Sequence, residues 1–373
     1  MPVSLQQLII DTIKSDGPLS FRNFMDLCLY HPELGYYTAP KQRIGCKGDY
    51  YTSSSLTPAF GYTLARQMEE MWRYLGGGAF TIIECGAGDG RMCNDMLHAI
   101  ACNPDFYKNT NVIIVEKKNP SLIANEHGHK IRFVESLQQI HNITGCIVSN
   151  ELMDNLPVHI VEMGAELMEV FIDYADGNLC EVMLPASQQL RGYVGEMEIN
   201  LPPGCRTEVC LDASEWLSHA VRALRRGYAL TIDYGYTTDR NSTRTYYDTL
   251  VCYHSHTIND HPCFQPGDQD ITAHVNFSAL QLWGEKMGLS FCGYTSQANF
   301  LLSLGFADVL NESINSSSFT ASQCLQSAFI KHTLLTDMGN RYKVLIQGKR
   351  IPGLPLSGMR LEMNAPASAR AVA

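Results

Sequence analysis

A chain of 373 residues, 45% hydrophobic and 18% charged, is long enough for a full α/β core with substantial additions, and this composition excludes disordered and fibrous classes. A formal net charge of -10, with no basic run longer than Arg225-Arg226 or Lys117-Lys118, argues against broad electrostatic binding of nucleic acid. The thirteen cysteines stand singly, in no CxxC or zinc-finger spacing, which fits a reducing compartment better than a disulfide framework.

No apolar run approaches the roughly 18 residues that span a bilayer, so no membrane insertion is expected. Asp11 and Asp16 come early, and no basic region is followed by an apolar block. Neither a signal nor a transit peptide is expected, and the expected location is the cytoplasm.

In chain order, Leu5, Leu8, Ile9 and Ile13 have helical spacing, and Gly17-Pro18 ends that helix. Residues 20–30 repeat the pattern. After a turn with aromatics at 31–37 and a hydroxyl-rich stretch, a helix is expected over 58–74, with Thr57 as its cap and Pro58 as its first residue. A βαβ rhythm then starts at Phe80. Strands are expected at 80–85, 111–116, 131–134 and 146–149, with helices near 90–101 and 120–127. Residues 159–163, 167–173 and 179–184 read as an inserted antiparallel meander. A helix at 212–225 and a strand at 228–233 restore the α/β rhythm. Residues 236–273 are turn-rich, helices follow at 276–287, 296–304 and 322–336, and a late strand lies at 342–347. The expected division is a helical cap over 1–75 and a core over 76–235 with its β-meander around 158–205. A lid and helical region over 236–350 would complete the sheet, and 351–373 would be a mobile tail.

The core turns on Glu84-Cys-Gly-Ala-Gly-Asp-Gly90, where a β-branched strand ends in an acid and three alternate glycines. Glycine tolerates φ > 0 and presents no Cβ, and the next helix offers unpaired N–H groups, so this turn is built to hold a ligand. A dinucleotide fold wants G-x-G-x-x-G with an acid about 20 residues on. Here Gly90 comes one position early and Arg91 stands where the third glycine would be. The pattern Glu-x-Gly-x-Gly-x-Gly instead resembles the first motif of S-adenosylmethionine-dependent methyltransferases. That ligand has a zwitterionic end. Its ammonium suits Glu84, and its carboxylate suits the backbone of Gly86, Ala87, Gly88 and Gly90. Its two ribose hydroxyls want an acid at the end of the second strand, where Glu116 sits. Asn150, at the end of the fourth strand, is a further cofactor candidate.

A closer resemblance covers nearly the whole chain, about residues 5 to 350. His31-Pro-Glu-Leu-Gly-Tyr-Tyr37, Gly48-Asp-Tyr-Tyr-Thr52, the glycine turn, Asn150-Glu-Leu-Met-Asp-Asn-Leu-Pro-Val158, Asp233-Tyr-Gly235 and Gly267-Asp-Gln-Asp-Ile-Thr-Ala-His-Val275 resemble the MidA family. The resemblance implies a class I, Rossmann-like methyltransferase core: a mostly parallel, doubly wound sheet with an N-terminal helical cap and inserted antiparallel β and helical elements. It also implies a bacterial or mitochondrial enzyme, whose mitochondrial members assist respiratory complex I assembly by dimethylating an arginine of a core subunit. The chain departs from the pattern at Ser53-Ser54-Ser55, where the family often has Ala-Pro-Glu, and at Asp248 and Asn276.

Methyl transfer from a sulfonium is an in-line displacement, so the protein aligns and desolvates the nucleophile and stabilises charge around it. A guanidinium is a poor nucleophile because it is protonated and delocalised. Carboxylates that grip it bidentately fix its orientation. By the resemblance, Glu151 and Asp154 lie beside the transferring methyl and are the catalytic candidates, with Glu162 in reserve. In the loop after Cys252, the spacing of His and Cys matches no zinc signature, and no metal is expected. Asp270 and His274 are candidate substrate contacts, and Asp49, Tyr50 and Tyr51 candidates for closing over the cofactor. The expected function is methylation of a protein, on arginine, with a respiratory complex subunit as a candidate substrate. The alternatives are a non-catalytic assembly factor that keeps the cofactor, and a nicotinamide-dependent oxidoreductase, which the glycine spacing disfavours.

Overall fold

The computed structural model describes residues 4–39, 51–117, 127–238, 249–254, 257–314 and 321–361. The chain divides into two compact units. One comprises Thr52–Met153, Trp216–Gly235 and Phe277–Ala373, and the other Met1–Tyr51, Asp154–Glu215 and Tyr236–Asn276.

The first unit is an α/β sheet. Its strands are β1 (Phe80–Cys85), β2 (Thr110–Val115), β3 (Ile131–Val134), β4 (Ile143–Asn150), β5 (Leu224–Tyr236), β6 (Ser290–Ser296) and β7 (Tyr342–Lys349). They lie in the order β6-β7-β5-β4-β1-β2-β3. The pairs β1–β2, β2–β3, β1–β4 and β4–β5 are parallel, and β7 runs antiparallel to both β5 and β6. Strand residues alternate between two apolar layers, as a sheet covered on both faces requires. Phe80, Ile82, Cys146 and Val148 face one cluster with the helices Pro58–Tyr74 and Arg91–Ile100. Ile83, Cys85 and Ile147 face another with Leu137, Ala220 and Ala223. This is the doubly wound, mostly parallel sheet that the sequence led one to expect. The chain order reverses between β1 and β4, and ligands of such sheets bind outside the carboxyl ends of the strands at that reversal.

The second unit is built on an antiparallel sheet in which Leu19–Ser20, Leu167–Ala175, His159–Met163 and Arg206–Val209 lie side by side, with Asn178–Pro185 paired to Leu167–Ala175. The helices Leu5–Asp16 and Phe21–Tyr30 bury Leu5, Ile9, Ile13, Phe21 and Phe24 against Ile160, Val170 and Ile172. A smaller sheet of Val251–His254, Thr257–Asn259 and Asp270–Thr272 adds Cys252 and Ile271 to the same core.

The observed units cut across the expected segments. The helix Pro58–Tyr74 was expected within a cap ending at residue 75, yet its buried face shares a core with β1. The expected lid over 236–350 is divided at Asn276, and the described residues from Phe277 onward belong to the sheet unit. The strand Ser290–Ser296 was not expected from the sequence, and its register with β7 shifts between Phe291 and Gly293. Most of the helix expected near 120–127, and the tail beyond residue 361, lie outside the described residues.

Candidate functional site

Strand β1 delivers Glu84 and the glycine turn to the switch point. Gly90, at φ 74°, is the cap of the helix Arg91–Ile100 and occupies the left-handed region that side chains avoid. A Cβ on Gly86 would stand 2.8 Å from Leu152 Cδ1. The turn is closed by Gly90 N–H to the Ala87 carbonyl at 2.8 Å and anchored by Gly86 N–H to the Val115 carbonyl at 3.0 Å. The Arg91 guanidinium folds back on Asp89 at 3.0 Å. Glu84 is 3% exposed, and its Oε2 has no hydrogen-bond partner among the described residues. Burial, reinforced by the charge of Asp89, pushes its carboxyl up to about 8. Glu116 follows β2, half-buried. It accepts from Gly88 N–H at 3.1 Å and Lys117 N–H at 2.9 Å, which ties the glycine turn to the end of the second strand.

The end of β4 is built differently. Glu151 takes φ 54°, rare for a non-glycine residue, and its N–H donates to the Ile232 carbonyl at 2.9 Å. Its Oε1 accepts from Ser53 N–H at 2.7 Å and Asn150 Nδ2 at 3.1 Å, and its Oε2 from the Tyr342 hydroxyl at 3.1 Å. Two donors occupy Oε1, so the two-pronged grip expected of this carboxylate would have to displace one of them. A single lone pair on Oε2 suits an end-on contact better. Burial raises the carboxyl, and these donors oppose the rise. Asn150 is buried, and its Oδ1 has no partner among the described residues. The following loop is clamped by Asp233, fully buried at the end of β5. Its Oδ2 accepts from Leu152 N–H at 3.1 Å and Met153 N–H at 2.8 Å.

Glu84, Gly86, Ala87, Gly88, Gly90, Glu116, Asn150 and Glu151 thus fall in one unit, and Asp154, Tyr51, Asp270 and His274 in the other. The division passes between Met153 and Asp154. Asp154 is buried, and its carbonyl accepts from Ala273 N–H at 3.0 Å. Asp270, 2% exposed, receives the Tyr37 hydroxyl at 2.9 Å and Asn155 Nδ2 at 3.4 Å. His274 is half-buried, its N–H donating to Thr249 Oγ1 at 3.2 Å. Tyr51 is 42% exposed. Asp49 and Tyr50 lie outside the described residues. Glu162 pairs with Arg206 at 2.7 Å on the antiparallel sheet. Among the described residues, no group of three or more His, Cys, Asp or Glu could hold a metal, and no helix is long and apolar enough to cross a membrane.

Sequence reading missed Ser53, Asp233, Gln297 and Tyr342 as parts of this site. Asp233 carried a signal, an acid at the end of an otherwise apolar strand. Tyr342 and Gln297 carried none, because each opens an ordinary element.

An amino-acid-bearing cofactor fits the first half of this site. A buried carboxylate with an unpartnered oxygen and a glycine turn with no Cβ lie together at the switch point, and a dinucleotide needs no such acid there. Comparison with known proteins agrees. Residues 63–295 match the model of a family described as "Putative S-adenosyl-L-methionine-dependent methyltransferase". A crystal structure of a COG1565 superfamily member from Burkholderia thailandensis, bound to S-adenosyl-homocysteine, superposes with a TM-score of 0.85 at 29% identity, covering 96% of this chain and 95% of that one. The human mitochondrial protein arginine methyltransferase NDUFAF7 is 27% identical over 328 residues, 79% of this chain and 71% of that protein. Its Drosophila melanogaster homolog is 24% identical over 385 residues, 92% of this chain and 84% of that protein. Fold and turn together define a class I methyltransferase whose cofactor is S-adenosylmethionine. The chain belongs to the MidA-type family of S-adenosylmethionine-dependent methyltransferases, homologous to NDUFAF7.

Proposed function

We propose that this methyltransferase acts on a protein and methylates an arginine side chain, with a subunit of a respiratory complex as the first candidate substrate. The reading is carried by Glu151, an acid held in one position by three donors at the carboxyl end of the strand beside β1. A fixed carboxylate is what a delocalised cation needs in order to present one nitrogen. The names of the arginine methyltransferases to which the chain is similar support the same choice of nucleophile.

In this scheme the cofactor supplies an electrophilic methyl group on a sulfonium. Glu84 holds the ammonium, and the backbone of Gly86, Ala87, Gly88 and Gly90 cradles the carboxylate end. Glu116 takes the ribose hydroxyls, and Asn150 lines the cofactor beside Glu151. Glu151 accepts one guanidinium N–H end-on through Oε2, which fixes the nitrogen that attacks. Asp154 is the second candidate carboxylate. Asp270 and His274 are kept as candidate substrate contacts, and Asp49 and Tyr51 as candidate cofactor contacts.

The test is transfer of a radiolabelled methyl group from S-adenosylmethionine into a cell lysate, followed by acid hydrolysis of the labelled proteins. Label in methylated arginine is the expected result. Label in another residue type would overturn the choice of arginine. Cofactor binding with no transfer would favour a binding role in assembly.

A further inference from the structure

The donors around Glu151 are themselves held by residues with no other evident purpose. Ser53 is fully buried. Its amide gives Glu151 the shortest of the three contacts, and its hydroxyl is near enough to lower that carboxyl. The same hydroxyl lies 3.1 Å from Gln297 Oε1, while Gln297 Nε2 is buried with no partner among the described residues. An amide's oxygen and nitrogen are assigned from their surroundings. Turned over, the Gln297 amide donates to the Ser53 oxygen, and the Ser53 proton is free for Glu151. On the opposite side, the Tyr342 hydroxyl donates to Oε2. The Tyr342 ring is braced edge-on by Tyr234, with centroids 5.5 Å apart, and Tyr342 pairs with Tyr234 across β5 and β7.

Within this unit the groups facing the carboxylate are the Ser53 amide and hydroxyl, the Asn150 amide and the Tyr342 phenol, none of them charged at neutral pH. An acid buried without a cation stays ionised only as far as such donors oppose desolvation. The backbone at Glu151 is also held in the left-handed region, a cost that persists only where the surroundings fix it.

We infer that Gln297, Ser53 and Tyr342 are positioning residues: a relay from Gln297 through Ser53 on one oxygen, and Tyr342 on the other, holds the Glu151 carboxyl in a single orientation for its substrate. The activity arm of the following test rests on the catalytic reading of Glu151, and the titration arm does not.

The full-length protein is labelled with carbon-13 at its glutamate carboxyls, and the Glu151 signal is assigned by its loss in Glu151→Gln. Titration then compares the wild type with Tyr342→Phe, which keeps the ring, and Ser53→Ala. The Glu151 midpoint is expected to move upward by about one pH unit per lost donor. Methyl transfer into lysate proteins is expected to show an acid limb that moves up with it, a lower maximal rate, and a KM for S-adenosylmethionine within twofold of the wild type. An unmoved midpoint in both variants would overturn the relay. So would lost activity with an unmoved acid limb, which is what a merely structural role predicts. A moved midpoint with unchanged rates would uphold the relay and overturn the catalytic reading of Glu151.

Discussion

Strands β1 and β4 are parallel neighbours, with Cys85 paired to Ser149, and each delivers a glutamate to the same end of the sheet. The two acids are in opposite states. Glu84 is buried with one oxygen unsatisfied, and its carboxyl is raised to about 8. Glu151 has a donor on each oxygen. An unsatisfied buried acid is costly until a cation arrives, so it suits binding. A satisfied acid cannot gain much from a ligand's ground state, but it is already where the reaction needs it. On the proposed reading, holding the cofactor and directing the substrate fall to glutamates on adjacent strands.

The comparison breaks most visibly at Glu151. Glu151→Gln removes the charge and keeps the backbone, so methyl transfer should fall by about 10²-fold or more, in line with the loss of a positioned charged group. Calorimetry should find S-adenosylmethionine affinity within about threefold of the wild type, since a conservative change there costs under about 1 kcal/mol of binding. Undiminished turnover would end the catalytic assignment.

Glu84→Gln should do the reverse, weakening cofactor binding by about 10- to 100-fold, the worth of one charge-assisted hydrogen bond. The sign with pH is fixed by the raised carboxyl. The folded protein holds the proton up to about 8, whereas the ordinary value is 4.5, so this group's contribution to stability falls as pH rises between the two. The Gln variant loses that fall, and its melting temperature should gain on the wild type from pH 5 to 8. An ammonium requires the ionised form, so wild-type affinity should climb over the same range with release of a proton. Calorimetry in buffers of different ionisation heat counts that proton, and a flat profile would show that Glu84 does not meet the cofactor's cation.

Asp233→Asn tests the clamp behind Glu151. Two backbone donors lose a charged acceptor, which should lower stability by about 1–3 kcal/mol in chemical denaturation. A variant as stable as the wild type would show that the loop after β4 holds its own shape.

How much of this was legible in sequence follows from the range of the interactions. The glycine turn is local, so its spacing could count against a dinucleotide, and the resemblance of the whole motif supplied the alternative. Glu116 could be placed by counting strands, and Glu151 by the resemblance. The donors that make Glu151 different from Glu84 come from 98 and 191 positions away, and no periodicity reports such a meeting. The same holds for the units. One is assembled from residues up to 51, from 154 to 215, and from 236 to 276, so its three parts read as a separate cap, insertion and lid.

The smallest effect is expected at Ser55, where the chain lacks the family's acid. Thr52 caps the short helix Ser53–Leu56, its hydroxyl accepting from Ser55 N–H at 3.2 Å. Ser55 Oγ accepts in return from Thr52 N–H at 3.0 Å. That reciprocal arrangement is a capping box, and glutamate is the residue it usually employs at the fourth position. The missing acid therefore has a structural account: a shorter side chain closes the same box and keeps the Ser53 amide aimed at Glu151. Ser55→Glu should change stability by less than about 0.5 kcal/mol and leave methyl transfer unaltered, as paired measurements of denaturation midpoint and transfer rate would show. A tenfold gain in rate would mean that an acid there meets the substrate, and the directing role would no longer belong to the end of β4 alone.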